Sequence, residues 1–350
     1  MKANYNQQTV ANLRQSQQFY KGLTLGMPRR NGRSNFDSAD DPALWFARQL
    51  DYIEAQAYNV LYPELSALNL FPVTTRASAG AATYTYRSYG KTGESRIIGN
   101  YADDFPRVDI VAKESTVHIR AIGESYGYNV QEAREAIMAN VSLEAERAES
   151  ARYANDRLTN QLAWAGDQAN KIYGVFSEEN GIPLFVLPVG AAGSTRWEMK
   201  TPMEILNDFI LLRKFIIQST KGVEKPDTMA LPESSINFLS RPFQIDVNQG
   251  SYGSILNYLL DNLKWLKEIV GVNELEEDSF DTNIFSTADE PVGTAFLYTN
   301  DDRKLSVEIP LPFIQHPVQF KGLQSEILCE SRTAGAIVKY PMSALIAPGI

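Results

Sequence analysis

A chain of 350 residues, 44% of them hydrophobic and 11% aromatic, can build one large or two interlocked domains, and this excludes an intrinsically disordered protein. One cysteine, Cys329, and two histidines, His118 and His316, exclude an internal disulfide framework and most metal chemistry built on cysteine or histidine clusters. With 33 basic against 42 acidic residues, a net charge of −9, the chain is poorly suited to gripping nucleic acid over its whole surface, and the composition leans from enzymes toward a structural role.

The first residues, Met1-Lys2-Ala3-Asn4-Tyr5-Asn6-Gln7-Gln8, are polar and lack the apolar core of a signal peptide. No window approaches the roughly 18 uninterrupted apolar residues that span a membrane, so a soluble chain made in a reducing cytoplasm is expected. Charge is unevenly placed. Six basic residues precede Asp37 (Lys2, Arg14, Lys21, Arg29, Arg30, Arg33) and no acidic one does, so the −9 resolves into +6 on this arm and −15 beyond it. Such an arm is either a solvated tail or a strap that lies on the acidic surface of a neighbouring copy or touches nucleic acid.

From Asp41 to Leu70 the pattern is helical, with Leu44, Ala47, Leu50, Ile53 and Ala57 forming one apolar stripe that Pro63 interrupts. Thr83-Tyr84-Thr85-Tyr86-Arg87-Ser88-Tyr89 then alternates as a strand, with threonines and arginine on one face and Tyr84, Tyr86 and Ser88 on the other. Gly90-Lys91-Thr92-Gly93 and Gly99-Asn100 supply turn chemistry, and a return strand is expected over 108–122 with Val117, Ile119 and Ala121 on one face. Strands this polar have too little apolar surface to stand alone in water, so the long hairpin must lie on something and projects from a free monomer.

Asn129, with Glu132 three positions on, opens a helix by a variant of the capping box, and no glycine or proline interrupts 130–165. A helix of about 36 residues is about 54 Å long. Its apolar positions, among them Ala145, Ala148, Ala151, Ala154, Leu158 and Leu162, are mostly alanine, too slight for a coiled-coil seam and suited to close packing on a sheet. Gly166 is its natural stop. Short extended segments follow at 172–176 and 182–188. A helix begins at Thr201-Pro202-Met203-Glu204. Thr228–Pro232 reads as a strand and Glu233–Leu239 as a short helix. A longer helix is expected over 254–270, then β-structure over 294–299, 305–309 and 327–337.

Motifs for chemistry fail on spacing. Gly90-Lys91-Thr92 resembles the end of a phosphate-binding loop, but the position of that motif's first glycine holds Thr85. Cys329, between Leu328 and Glu330 in an expected strand, reads as a buried small hydrophobe. The acidic clusters (Asp103-Asp104, Glu276-Glu277-Asp278 with Asp281, and Asp301-Asp302) lack calcium-loop spacing and read as loop charge. No catalytic, cofactor-binding or metal-ligating residue is assigned.

The order of elements resembles the major capsid proteins of tailed bacteriophages, the HK97-like family. The likeness is carried by Tyr84-Thr85-Tyr86-Arg87 with Gly90-Lys91-Thr92-Gly93-Glu94, by Tyr101-Ala102-Asp103-Asp104-Phe105-Pro106, by Gly127-Tyr128-Asn129-Val130-Gln131-Glu132, by Ile172-Tyr173-Gly174, and by Ala334-Gly335-Ala336-Ile337-Val338. The resemblance implies an α+β HK97-like capsid fold with a long spine helix over 129–166. It implies an N-terminal arm (1–40), an extended loop (75–122), an axial domain (200–325) and a peripheral domain (41–74, 123–199 and 326–350). It implies no enzyme and no cofactor, but self-assembly into hexamers and pentamers of an icosahedral phage head around double-stranded DNA, a chain made in the host bacterial cytoplasm and housed in the virion. Arg14, Arg29, Arg30 and Arg33 on the arm, and Arg87, Lys91, Arg96 and Arg107 on the hairpin, are the expected intersubunit contacts. Only residues 1–40 precede the first expected helix, too few for a fused scaffolding domain, so a separate scaffolding protein is expected, with a portal and a possible decoration protein as further partners and packaged DNA in weak, non-specific proximity. An encapsulin-like nanocompartment shell and a carboxylate-based hydrolase stay open as alternatives.

Overall fold

The computed structural model describes residues 62–97, 105–139, 143–244, 252–287 and 290–350. The basic arm, most of the expected first helix, and Gly99, Asn100, Asp103 and Asp104 lie outside the described residues. The described part of that first helical stretch is a single turn, α1 (Ala67–Leu70), followed by strand β1 (Val73–Thr74). Two buried side chains from distant parts of the sequence hold its start. Asn160 Oδ1 accepts the Ala67 amide at 2.8 Å, and the Glu274 carboxylate accepts the Ser66 amide and hydroxyl at 2.8 Å each.

Strands β2 (Thr83–Thr92) and β3 (Asp109–His118) pair antiparallel along their whole length, from Thr83 opposite His118 to Thr92 opposite Asp109. The expected faces are present, with Tyr84, Tyr86 and Ser88 half-buried and Thr83, Thr85, Arg87 and Tyr89 exposed. Gly90, Lys91 and Thr92, expected in the turn, instead belong to the strand opposite Val111, Ile110 and Asp109. The β-branched pair Ile110-Val111 carries the ladder past them. The return strand also ends earlier than expected. Ile119 is buried against Ala334 and Ile337 and donates its amide to Ala82 O at 2.9 Å, and there the chain leaves the hairpin. It continues as β4 (Arg120–Asn129) in another sheet.

The expected spine appears as α2 (Val130–Ala139) and α3 (Leu143–Trp164), with 140–142 outside the described residues. Its start is capped as the sequence suggests. The Asn129 side chain accepts the Gln131 amide at 3.3 Å and Glu132 accepts the Asn129 amide at 3.2 Å. That bond, with Arg147 beside it, holds the Glu132 carboxyl below its ordinary range. The alanine stripe needs correction. Ala145, Ala154 and Leu158 are exposed, whereas Asn155, Thr159, Asn160, Leu162, Ala163 and Trp164 are buried, so the face that meets the protein is largely polar until the last turn.

Gly166 ends the helix at φ 77, and a Cβ there would lie 2.4 Å from the Gly174 amide nitrogen. The short strands β5 (Gly166–Asp167) and β6 (Ile172–Tyr173) can meet only because both glycines lack side chains. Gly166→Ala is therefore expected to cost about 1–3 kcal/mol from backbone strain alone, plus the clash, and a thermal melt lowered by several degrees is the check.

Helix α4 (Pro202–Ser219) opens with the expected capping box, in which Thr201 Oγ1 and the Glu204 carboxylate bond reciprocally. Then come β7 (Thr228–Pro232), α5 (Glu233–Leu239), the two-stranded β8 (Pro242–Gln244) with β9 (Tyr252–Ser254), and α6 (Ile255–Asn262), capped by Ser254. The helix expected through residue 270 stops at Asn262. Its continuation is a strand, β10 (Glu268–Val272), because Ile269, Val270 and Val272 pair in parallel with β7 and β-branching favours that ladder. The remaining strands are β11 (Thr294–Tyr298), β12 (Leu305–Glu308), β13 (Leu311–Gln315), β14 (Gln319–Lys321), β15 (Gln324–Thr333), β16 (Gly335–Val338) and β17 (Ala344–Pro348).

Three sheets carry the unit 62–350: β1-β12-β16-β6-β5, β10-β7-β11-β17, and β13-β15-β14 with β4 on the far side of β15. The second lies between two cores. Ala230, Phe296, Tyr298, Ala344 and Ile346 face a cluster with Trp164, Phe71 and Phe176. Their neighbours Met229, Leu231, Ala295, Leu297, Leu345 and Ala347 face a cluster with Phe209, Leu212, Ile216 and Leu259. Burial on both faces explains why these strands read as continuous apolar runs rather than alternating ones.

Candidate assembly surface

The hairpin is anchored at one end only. Its root packs Tyr84, Tyr86, Val117 and Ile119 against Ala334 and Ile337, with the Tyr86 hydroxyl donating to Val338 O at 3.2 Å. Past Ser88 nothing in the described chain covers it. Tyr89 is 67% exposed, Ile110 64% and Val111 57%, and Ile97, Phe105 and Val108 are exposed beyond them. Cross-strand bonds keep the pair in register where no core supports it. Thr85 and Thr116 share a hydroxyl bond at 2.9 Å, and Arg87 Nε meets Glu114 Oε1 at 2.6 Å. Side chains alternate along a strand, so Tyr89 and Ile110 lie on one face of the ladder and Val111 on the other, and exposed apolar side chains held out on both faces mark a place where another molecule sits.

The expected contact residues divide into three groups. Arg14, Arg29, Arg30 and Arg33 lie outside the described residues. Arg87, exposed on the hairpin, is committed to Glu114 of its own chain. Lys91, Arg96 and Arg107 are exposed, and Lys91 and Arg107 make no ion pair among the described residues. The hairpin thus joins apolar side chains and cations, where the sequence reading weighted the cations.

The two acidic clusters among the described residues are local fasteners. Glu276 accepts the amide and hydroxyl of Ser234 at 2.7 Å each, in the first turn of α5, and Glu277 meets Arg196 at 3.1 Å. Asp302 meets Arg76 at 2.5 Å, and Asp301 accepts the Arg303 amide, which holds its carboxyl below the ordinary range. Among the described residues no group of three potential metal ligands occurs. Cys329 is buried and free, and burial pushes its thiol up, with Glu124 adding to the shift. His316 Nε2 lies 3.1 Å from Glu330 Oε1.

Sequence reasoning missed a buried ion pair. Lys200 Nζ contacts Asp208 Oδ2 at 2.6 Å, with the two side chains 1% and 2% exposed, and Trp197 Nε1 donates to the same oxygen at 3.1 Å. Burial pushes the Asp208 carboxyl up, and the Lys200 bond opposes that shift. The signal was present. Asp208 is the lone carboxylate on the apolar face of α4 formed by Ile205, Phe209 and Leu212.

The described chain joins a core-bearing body to a hairpin that its own described residues leave uncovered past Ser88. A family model described as major capsid protein matches residues 93–350, and the chain belongs to that family. The fold is HK97-like, and solved structures repeat it at low identity. The capsid of Myoviridae phage XM1 is 17% identical with a TM-score of 0.72, over 87% of this chain and 98% of that one. The match to Mycobacterium phage Ogopogo is 11% identical with a TM-score of 0.57, over 87% and 98%. The capsid of a native GTA particle is 10% identical with a TM-score of 0.58, over 87% and 97%. No curated protein matches the sequence. A capsid protein is structural rather than enzymatic and resides in the virion, and no helix among the described residues is long and apolar enough to cross a membrane.

Proposed function

We propose that this chain assembles into hexamers and pentamers of an icosahedral phage head, with the β2–β3 hairpin lying across an adjacent subunit. The exposed run Tyr89, Ile110 and Val111 carries the reading, because it is ordered on paired strands and covered by nothing in the described chain. Interfaces of this kind are individually weak, and closed rings multiply them. In this reading residues 1–40 form the arm, with Arg14, Arg29, Arg30 and Arg33 meeting acidic neighbours. Residues 75–122 form the extended loop, 200–325 the axial domain, and 41–74, 123–199 and 326–350 the peripheral domain. Lys91, Arg96 and Arg107 join the apolar contact, and Arg87 reaches a neighbour only by giving up Glu114. The arm's +6 against a body of −15 suits contact between copies, while the overall negative charge keeps packaged double-stranded DNA in weak, non-specific proximity.

A separate scaffolding protein, a portal and a decoration protein complete the partners in this reading, and synthesis is in the host bacterial cytoplasm. The family assignment disfavours a nanocompartment shell and a hydrolase. Negative-stain microscopy of the purified chain tests the function. Closed shells or capsomer rings are expected, and a chain that stays monomeric under every assembly condition, with scaffolding protein present, would overturn it.

A further inference from the structure

Helix α3 lies on β4 and β15, and burial alternates along both strands, so Ile122, Glu124, Tyr126 and Tyr128 of β4 and Ser325, Ile327, Cys329 and Ser331 of β15 turn toward the helix side. Glu124 stands opposite Cys329 in the register. Its carboxylate is poorly served. Oε1 is buried without a hydrogen-bond partner, and Oε2 lies 3.5 Å from Asn155 Nδ2, which gives its shorter bond, 2.7 Å, to Ser331 Oγ. The next helix residue is Asp156, a second carboxyl whose ion pair with Arg152 is long at 3.7 Å, the arginine side chain being 73% exposed.

The surroundings carry both signs, and Arg147 of α3 reaches across to the β4 backbone at Gly127 O and to Glu132. Glu149, Arg152 and Tyr153 of α3 line an open cavity with Asp156, together with Phe313 and Gln315 of β13. Burial pushes the Tyr126 hydroxyl of β4 up, with Cys329 and Glu144 adding to the shift. Arg152 pairs with Asp156, and Glu124 makes no ion pair among the described residues. A helix seated on two crowded carboxyls is easier to hold when one of them carries a proton.

We propose that Glu124 and Asp156 make the seat of α3 on its sheet proton-sensitive, loose while both are charged and tight once the pair has taken a proton from solvent. Burial pushes both carboxyls up, the charge of Asp156 adding to the shift of Glu124. A carboxyl raised in the folded state binds protons more tightly there than in the unfolded chain. The seat therefore gains stability as pH falls from neutral toward the ordinary carboxylate range, and loses it as pH rises through the raised value. The strand that carries Glu124 follows the hairpin directly through Ile119, so a change in the seat reaches the base of the assembly surface.

Hydrogen exchange of the full-length unassembled chain tests this, independently of whether it builds shells. Between neutral pH and about pH 5, after correction for intrinsic exchange, protection of the α3 amides near Asn155 rises severalfold in the wild type, while β11 serves as an internal reference. Glu124→Gln raises protection at neutral pH and leaves only the smaller rise that Asp156 contributes alone. If Glu124→Gln does not fold, Asp156→Asn, at a half-exposed position, makes the same comparison. Wild-type protection that ignores pH, or a folded variant that titrates like the wild type, overturns the proposal.

Discussion

Ile110→Asp combined with Val111→Asp leaves the chain folded and abolishes particle formation. Both side chains are exposed in the isolated chain, 64% and 57%, so their loss removes nothing from its cores, and the cost, about 1 kcal/mol per residue of strand preference, is confined to the far end of the hairpin. At a subunit contact the same two side chains each contribute about 1.5–3 kcal/mol of apolar burial, and every hairpin in a ring loses it at once. Sedimentation of the double variant checks this, with small species where the wild type gives particles, alongside a cooperative thermal melt that shows the body still folded. The charges call for a finer choice. Reversing Arg87 places like charges directly opposite each other, since Glu114 is its cross-strand partner, and disturbs the hairpin itself by about 0.2–1 kcal/mol. Lys91→Glu has no such internal penalty and is the cleaner probe, expected to weaken particles in a salt-dependent way.

The largest single-residue loss of stability is expected at Asp208. Asp208→Ala strands the Lys200 ammonium and the Trp197 indole N–H in a site where the lysine side chain is 1% exposed, and breaking such a pair costs about 3–5 kcal/mol. Denaturant unfolding reads the change directly. Replacing both charges together, Lys200→Met with Asp208→Leu, restores most of the loss, because the desolvation penalty disappears with the attraction. A single variant as stable as the wild type would show that the pair is hydrated in solution.

What the sequence disclosed, and what it withheld, follows from the range of the interactions. The capping pairs at Asn129 with Glu132 and Thr201 with Glu204 are local, and both were legible residue by residue. The tyrosine–threonine alternation of β2 gave its faces, because one face rests on a core at the root. The helix end at Asn262 was not legible. Leu263 and Leu266 continue an apolar spacing, but they are buried in loop conformation beside α4 and α6, and only the partner strand β7 selects extended backbone for Ile269 and Val270. The polar underside of α3 was hidden for the same reason. Asn155 and Thr159 look solvent-facing until β15 supplies Ser331, 176 positions away. For the proposed assembly surface, sequence singled out the hairpin and stressed its cations. The apolar positions Ile110 and Val111 emerged only when the ladder proved to run past Gly90.

The central claim is that the hairpin over residues 83–118 is completed by a neighbouring copy. A cryo-EM map of assembled wild-type shells measures this most directly. The account predicts continuous density for this hairpin across an adjacent subunit, with Tyr89, Ile110 and Val111 covered by that neighbour. A hairpin folded back on its own chain, or standing in solvent with those three side chains uncovered, would contradict it.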